Sequence, residues 1–154
     1  MRQIICTLIV LAVPVPLTAG DDEEVRKELK ALQGTLKIVA VEAMGKSLPK
    51  ESIPEFTFTI EADGKSTGKM AKSEYAARIT VNPKKDPKTI DNLHLSGEEK
   101  GKKQYGVYKL DGDKLTVAMT QPGAAESDRP KDFVTKGAPT VVFVFERIKA
   151  DKMP

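Results

Sequence analysis

The sequence predicts an all-β domain, a meander of about eight antiparallel strands that follows one short N-terminal helix. Apolar and polar residues alternate with period two through most of the chain after Gly34, as they do in half-buried strands. Turn-forming pairs interrupt this alternation about every 8–12 residues, for example Asp63-Gly64, Asn82-Pro83 and Ser96-Gly97. Only one short segment has a helical period. Such a chain closes into a barrel or packs as a sandwich.

The first 20 residues have the layout of a secretory signal peptide. Met1-Arg2 gives a positive start, the run from Ile4 to Val13 is almost wholly apolar, and an acidic stretch follows. The apolar run is short for a retained membrane anchor. We therefore expect export to the periplasm, the cell envelope or the extracellular space, with cleavage after Ala19 or Gly20.

The composition fits one exported globular domain without disulfides. The chain has 154 residues, of which 40% are hydrophobic, which is a common size for a single domain. Cys6 lies inside the leader, so the domain expected over residues 21–154 contains no cysteine. The 25 Lys and Arg residues nearly balance the 22 Asp and Glu residues. This balance gives no electrostatic reason to expect nucleic acid as a partner.

The first half of the domain predicts a helix and then strands. Residues 21–33 form a short amphipathic helix, with acidic residues in its first turn and Gly34 at its end. The next strand places Leu36, Ile38 and Ala40 on one face. Two more strands are predicted over residues 56–60 and, more weakly, 66–71.

The second half continues the meander. We predict strands that carry Ala77, Ile79 and Val81, then Ile90, Leu93 and Leu95, and then two strands over residues 105–110 and 114–119 joined by a tight hairpin. The last strand, residues 140–146, is nearly all apolar and is predicted to be covered on both faces. The long linker before it, Gln121 to Pro139, is of a length that is often functional or mobile.

Five short motifs occur in a specific order and spacing: Leu32-Gln33-Gly34-Thr35, then residues 45–49 (GKSLP), 86–91 (DPKTID), 105–115 (YGVYKLDGDKL) and 129–133 (RPKDF). Together they resemble a lipocalin-like domain family found in many copies among planctomycete bacteria, often behind signal peptides. The resemblance covers roughly residues 28–147. It implies a lipocalin-like up-and-down barrel of about eight antiparallel strands in an exported bacterial protein, and it implies no activity. Family members commonly carry Trp after Gly-Thr, where this chain has Leu36.

A barrel of this size is filled by its own side chains or holds one small ligand. The candidate lining of its interior consists of large apolar and aromatic residues: Leu36, Ile38, Phe56, Phe58, Ile60, Tyr105, Phe143 and Phe145. These residues belong to a core in either case, and they line a pocket only if the barrel is open. Two functions follow: an exported module that binds a small apolar or amphipathic ligand, or an envelope interaction or scaffold domain with a filled core. In the second, exposed strand faces and the Gln121–Pro139 linker make the contacts.

Catalytic and metal-binding patterns are absent from the sequence. His94, the only histidine, lies between Leu93 and Leu95 and is predicted on the opposite face of its strand, toward solvent. Asp111-Gly112-Asp113 lacks the remaining ligands of a calcium loop and is better explained as a hairpin turn. No serine or threonine has a recognisable base or a Gly-x-Ser-x-Gly elbow. We therefore predict a protein that is not an enzyme and that carries no metal or cofactor. An enzyme that uses carboxylates alone stays open as a third alternative, with no motif behind it.

Overall fold

The computed structural model describes residues 19–70 and 73–149, which form a closed barrel of eight antiparallel strands, one extra short strand and one N-terminal helix. Helix α1 is Ala19–Leu32. The strands are β1 Gly34–Ala43, β2 Lys46–Ser47, β3 Phe56–Ile60, β4 Lys65–Met70, β5 Ser73–Asn82, β6 Lys88–His94, β7 Lys103–Asp111, β8 Lys114–Met119 and β9 Val141–Arg147. Most of the predicted leader lies outside the described residues. Within these two ranges, no helix has the length and apolar character that a membrane span requires.

The strand order follows the chain. From β3 to β9 each strand pairs with the next one, and β1 pairs with both β3 and β9, so the sheet closes on itself. The short strand β2 forms a hairpin on the end of β1. The predicted all-β antiparallel fold is confirmed, and it is a barrel rather than a sandwich. Strand β2 is not among the predicted strands.

A β-bulge in β1 changes which residues face the interior. The register with β9 shifts between Ile38 and Ala40, so that Val39 is the extra residue. After the bulge, Val41 pairs with the cavity-lining Phe143 and is buried. The prediction that Ala40 shares a face with Leu36 and Ile38 was therefore wrong, because a single extra residue inverts the alternation.

Helix α1 closes one end of the barrel. Leu29 and Leu32 are buried in the main core cluster, and Val25 packs against it. The three residues are spaced at i, i+4 and i+7, so they form the apolar face of the amphipathic helix. The carboxylate of Glu28 accepts a hydrogen bond from the hydroxyl of Tyr108 at 3.0 Å and one from Nζ of Lys88 at 2.8 Å. The hydrogen bonds of Glu28 thus hold the helix next to the apolar core that its leucines contact.

Arg147, at the end of β9, ties the barrel to the C-terminus of α1. Its guanidinium donates to the carbonyl oxygens of Gln33 and, at 2.7 Å, Ala31. Asp113 lies 3.4 Å from its Nε atom. The carbonyls of a last helical turn lack partners within the helix and carry negative partial charge, so a cation stabilises them. Gly34 has a φ of +134°, and a Cβ there would lie 2.8 Å from this guanidinium.

The long linker between β8 and β9 folds onto the outside of the barrel. Phe133 packs on an outer cluster of Val107, Ala118 and Val142. The hydroxyl of Thr135 donates to the carboxylate of Glu42 at 2.6 Å. This cover explains why β9 is apolar on both faces, as the sequence indicated.

We expect Arg147→Met to lower the free energy of unfolding by about 1–2 kcal/mol, because two helix-end carbonyls lose a charged donor while the aliphatic stem is kept. Chemical denaturation measures the change. The matched control is Arg78→Met, because Arg78 forms an exposed pair with Asp63 at 3.5 Å and such pairs contribute little. Equal losses in the two variants would contradict the capping role.

We expect Tyr108→Phe to reduce the loss of stability at alkaline pH. Burial, the charge of Glu28 and the hydrogen bond to Glu28 all raise the pKa of Tyr108. The folded protein therefore keeps a phenolic proton that the unfolded chain releases above about pH 10, so stability is complete below that pH and falls above it. Between pH 9 and pH 11 the variant should lose about 1.4 kcal/mol less than the natural chain. An equal loss in both proteins, measured by urea denaturation, would refute this assignment.

Candidate ligand-binding cavity

The barrel interior contains a cavity of about 210 Å³. It lies among residues from β1 and from β3 and β5 to β9, so strands on all sides contribute to its wall. Its apolar lining is Ile38, Pro54, Phe56, Phe58, Ile60, Ile79, Ile90, Leu115, Val117, Met119, Phe143 and Phe145, and its polar lining is Tyr75, Asn92, His94 and Gln104. An apolar chamber with a few grouped polar side chains is the usual composition of a small-molecule site.

Aromatic rings form one continuous side of the cavity. Phe56 stacks on Phe58 at 5.3 Å, and Phe58 meets Phe145 edge to face at 5.0 Å. Tyr75 meets Phe56 edge to face, also at 5.3 Å. These separations are within the favoured range for aromatic pairs. The rings therefore fix one another, and the cavity wall is preorganised.

Six of the eight residues predicted to line the interior do so: Ile38, Phe56, Phe58, Ile60, Phe143 and Phe145. Leu36 points into the same interior but is 1% exposed and packs in the core with Leu29 and Leu32, outside the cavity lining. It belongs to the packed end that helix α1 closes.

Tyr105 was wrongly predicted to line the interior. Its ring lies on the outer wall, where the guanidinium of Arg129 stacks over it at 5.1 Å. Arg129 also donates to Asp91 at 2.6 Å and to the carbonyl of Gly106 at 3.0 Å. Burial alone would lower the pKa of Arg129, but its hydrogen bonds and ion pairs with Asp91 and Glu126 raise it, so the charge is kept. This arrangement anchors the β8–β9 linker.

His94 was wrongly predicted to face solvent. It lies on the inner face of β6 with Ile90 and Asn92, whereas Leu93 alternates to the outer face and Leu95 is exposed. Hydrophobicity indicated the wrong face, because Asn92 and His94 on the inner face are polar whereas Leu93 on the outer face is apolar. The signal that was available is the period-two spacing of residues 90, 92 and 94.

The four polar lining residues form one hydrogen-bonded cluster. The amide nitrogen of Asn92 lies 3.0 Å from the hydroxyl of Tyr75 and 3.3 Å from Oε1 of Gln104. Nε2 of His94 lies 2.7 Å from the same Oε1. Since the cluster satisfies itself, an apolar ligand beside it leaves these groups paired.

The cluster also fixes the tautomer of His94. The amide nitrogen of Gln104 donates to the carbonyl oxygen of Thr120 at 3.0 Å, which turns its Oε1 toward the imidazole. An oxygen acceptor at that distance requires a proton on Nε2 of His94. In the neutral ring, Nδ1 is then an acceptor.

Burial raises the pKa of Tyr75, while its hydrogen bond with Asn92 opposes the shift. Its hydroxyl is therefore neutral across the physiological range. Sequence reasoning missed Tyr75 and Gln104. Each lies an even number of residues from a buried inner residue of its own strand, and therefore on the same face. Tyr75 stands two positions before Ala77, and Gln104 stands four before Tyr108. Tyr105 and Tyr108 are three apart in one strand, which places them on opposite faces.

The described part of the chain shows no arrangement of side chains that suits a metal ion. No group of three or more His, Cys, Asp or Glu side chains is arranged there to hold a metal ion. The polar cluster of the cavity offers one imidazole, two amides and a phenol, without a carboxylate. The absence of an enzyme activity stays a prediction.

No protein-family model matches this sequence, and neither the curated proteins nor the solved structures provide a match. The argument about function therefore depends on the cavity and on the residues around it.

We expect neutral His94 to carry its proton on Nε2, which ¹H–¹⁵N NMR of the imidazole nitrogens can establish. Gln104→Leu should remove this preference and lower the free energy of unfolding by about 1–3 kcal/mol, because a partly buried donor loses its acceptor. Gln121→Leu, at an exposed position in the linker, is the control and should change neither value. A neutral ring protonated on Nδ1 in the natural chain would contradict the assigned network.

Proposed function

We propose that this protein is an exported, lipocalin-like binding module that holds one small, largely apolar ligand inside its barrel. The observation that carries the proposal is the 210 Å³ cavity with its wall of aromatic and aliphatic side chains. The leader-like sequence at residues 1–20 supports export, and the motif series supports the lipocalin-like assignment.

The size of the cavity bounds the ligand. An engineered protein cavity of about 150 Å³ holds benzene, whereas sites for drug-sized molecules have volumes of about 300–1,000 Å³. At roughly 30 Å³ for each water-sized group, 210 Å³ accommodates about seven such groups. A single substituted ring or a medium-length alkyl chain fits, and a long acyl chain does not fit without further opening.

The chemistry of the wall bounds the ligand as well. No acidic or basic side chain other than His94 is in the lining, so a buried ionic group would lack a partner of opposite charge. The polar cluster is already paired internally. The buried part of the ligand is therefore expected to be apolar.

The alternative, a scaffold domain with a filled core, requires an interior without room for a ligand. The cavity favours the binding module over this alternative. The β8–β9 linker was expected to make the scaffold's contacts, but Arg129, Phe133 and Thr135 attach it to the barrel wall. Its exposed remainder, which includes Val134, is therefore fixed to the barrel.

The test is saturable binding of a panel of ring compounds and medium-chain amphiphiles, measured by calorimetry, with a cavity-filling variant. Val117→Phe adds a ring at a lining position and should weaken binding at least tenfold. Thr116→Phe is the matched control, since it adds the same side chain to the adjacent residue on the opposite face of β8. Retained affinity in a folded Val117→Phe, or no saturable binding by any compound of the panel, would overturn the proposal.

A further inference from the structure

Between β1 and β3, at the side of the barrel, three residues of the cavity lining also border the outer surface. Ile38, Pro54 and Phe56 line the cavity and also line a groove on the outer surface. We name this groove the lateral groove; Lys37, Glu55, Thr57 and Lys69 complete it. A depression beside it again includes Ile38 and Pro54, together with Val39. At this place the same side chains border both the interior and the outer surface.

The backbone is open at this place. β1 pairs with β3 only from Gly34 to Lys37, and no described strand pairs with residues 38–40 on that side. β1 instead follows β9, and the bulge at Val39 lies within the unpaired stretch. A barrel wall without ladder hydrogen bonds is held by side chains alone, and side chains rearrange faster than paired strands separate.

Two lysines flank the lateral groove. Lys37 and Lys69 are both cross-strand neighbours of Thr57, one on each side, so their backbones are about 10 Å apart. Both side chains are exposed. Neither has a carboxylate within 4 Å among the described residues. A small anion placed above Thr57 would be within reach of both ammonium groups.

Acidic residues near the groove are the competing partners for these lysines. Glu55 lines the groove, Glu146 is the cross-strand neighbour of Lys37 on β9, and Glu74 is that of Lys69 on β5. Glu146 is also the neighbour of Lys114 on its other side, so two lysines share its charge. Among the residues that line the groove itself, the two lysines outnumber the one carboxylate, Glu55.

We infer that the lateral groove is the entrance to the cavity, and that the ligand is a medium-chain amphiphile with an anionic head group. The chain, about seven groups long, fills the cavity past Phe56, and the carboxylate or sulfate stays outside between Lys37 and Lys69. This arrangement leaves the charge in solvent and buries only the apolar tail. The inference depends on the proposed function, since it needs the same cavity.

The head group is tested with octanoate and octanol, which share a chain length. The natural protein should bind octanoate about fivefold to tenfold more tightly by calorimetry, as expected for two partly exposed charge contacts. Lys37→Gln with Lys69→Gln should abolish that preference and leave octanol binding unchanged. Lys27→Gln with Lys131→Gln makes the same change in net charge at exposed positions elsewhere and should keep it.

These results separate the two proposals. Binding of both compounds without preference, or a preference that survives loss of Lys37 and Lys69, overturns the assigned head-group site and leaves the binding module standing. Failure of both compounds and of the wider panel overturns both proposals.

The entrance is tested by exchange rates. In a Cys6→Ser background, Thr57→Cys is modified with a bulky maleimide, which places a cap over the groove without touching the cavity lining. The rates of octanol association and dissociation, measured by NMR exchange, should both fall at least tenfold, with little change in affinity. Thr80→Cys, exposed on β5, is the modified control and should keep the natural rates. Unchanged rates in the capped Thr57→Cys protein would overturn the lateral entrance.

Discussion

The pairing of β1 with β9 is the constraint on which the other features depend. It removes the two free edges that an eight-stranded meander would otherwise expose. β1 starts beside β3 and ends beside β2, and over residues 38–40 it pairs with β9 alone. The same strand therefore closes the barrel and leaves its side without backbone pairing. Arg147 stands where this closure meets the end of helix α1, so barrel closure and the packed end are joined through one side chain.

The interior is divided because different residues fill its two ends. Helix α1 brings Leu29 and Leu32 to Leu36, and these three aliphatic side chains pack one end. The phenylalanines of β3 and β9 are placed farther along the barrel, around the cavity. The closed end is thus filled by leucines, in a chain that contains no tryptophan. Leu36, in the strand that begins at Gly34, belongs to the packed end, and the cavity lies farther along the barrel.

The sequence predicted the fold better than it predicted the site, for a physical reason. Strand positions follow from alternation and turn residues, which are local, and every predicted strand is present. Which face is inside depends on register, and register is set by pairing with distant strands. The bulge at Val39 has no signature in the residues around it. His94 was misplaced because hydrophobicity was taken as the indicator of the interior, whereas a binding cavity carries polar groups where a packed core would not.

An empty cavity lowers the stability of the fold, and a bound ligand would restore part of it. A closed, dry void of this size would cost about 5 kcal/mol at 24 cal/mol per Å³. That is comparable with the whole stability of an ordinary domain, about 5–15 kcal/mol, and no disulfide can form among residues 21–154, which contain no cysteine. A ligand at 100 times its dissociation constant would return about 2.7 kcal/mol. Under the proposed function, the occupied barrel is therefore the more stable form.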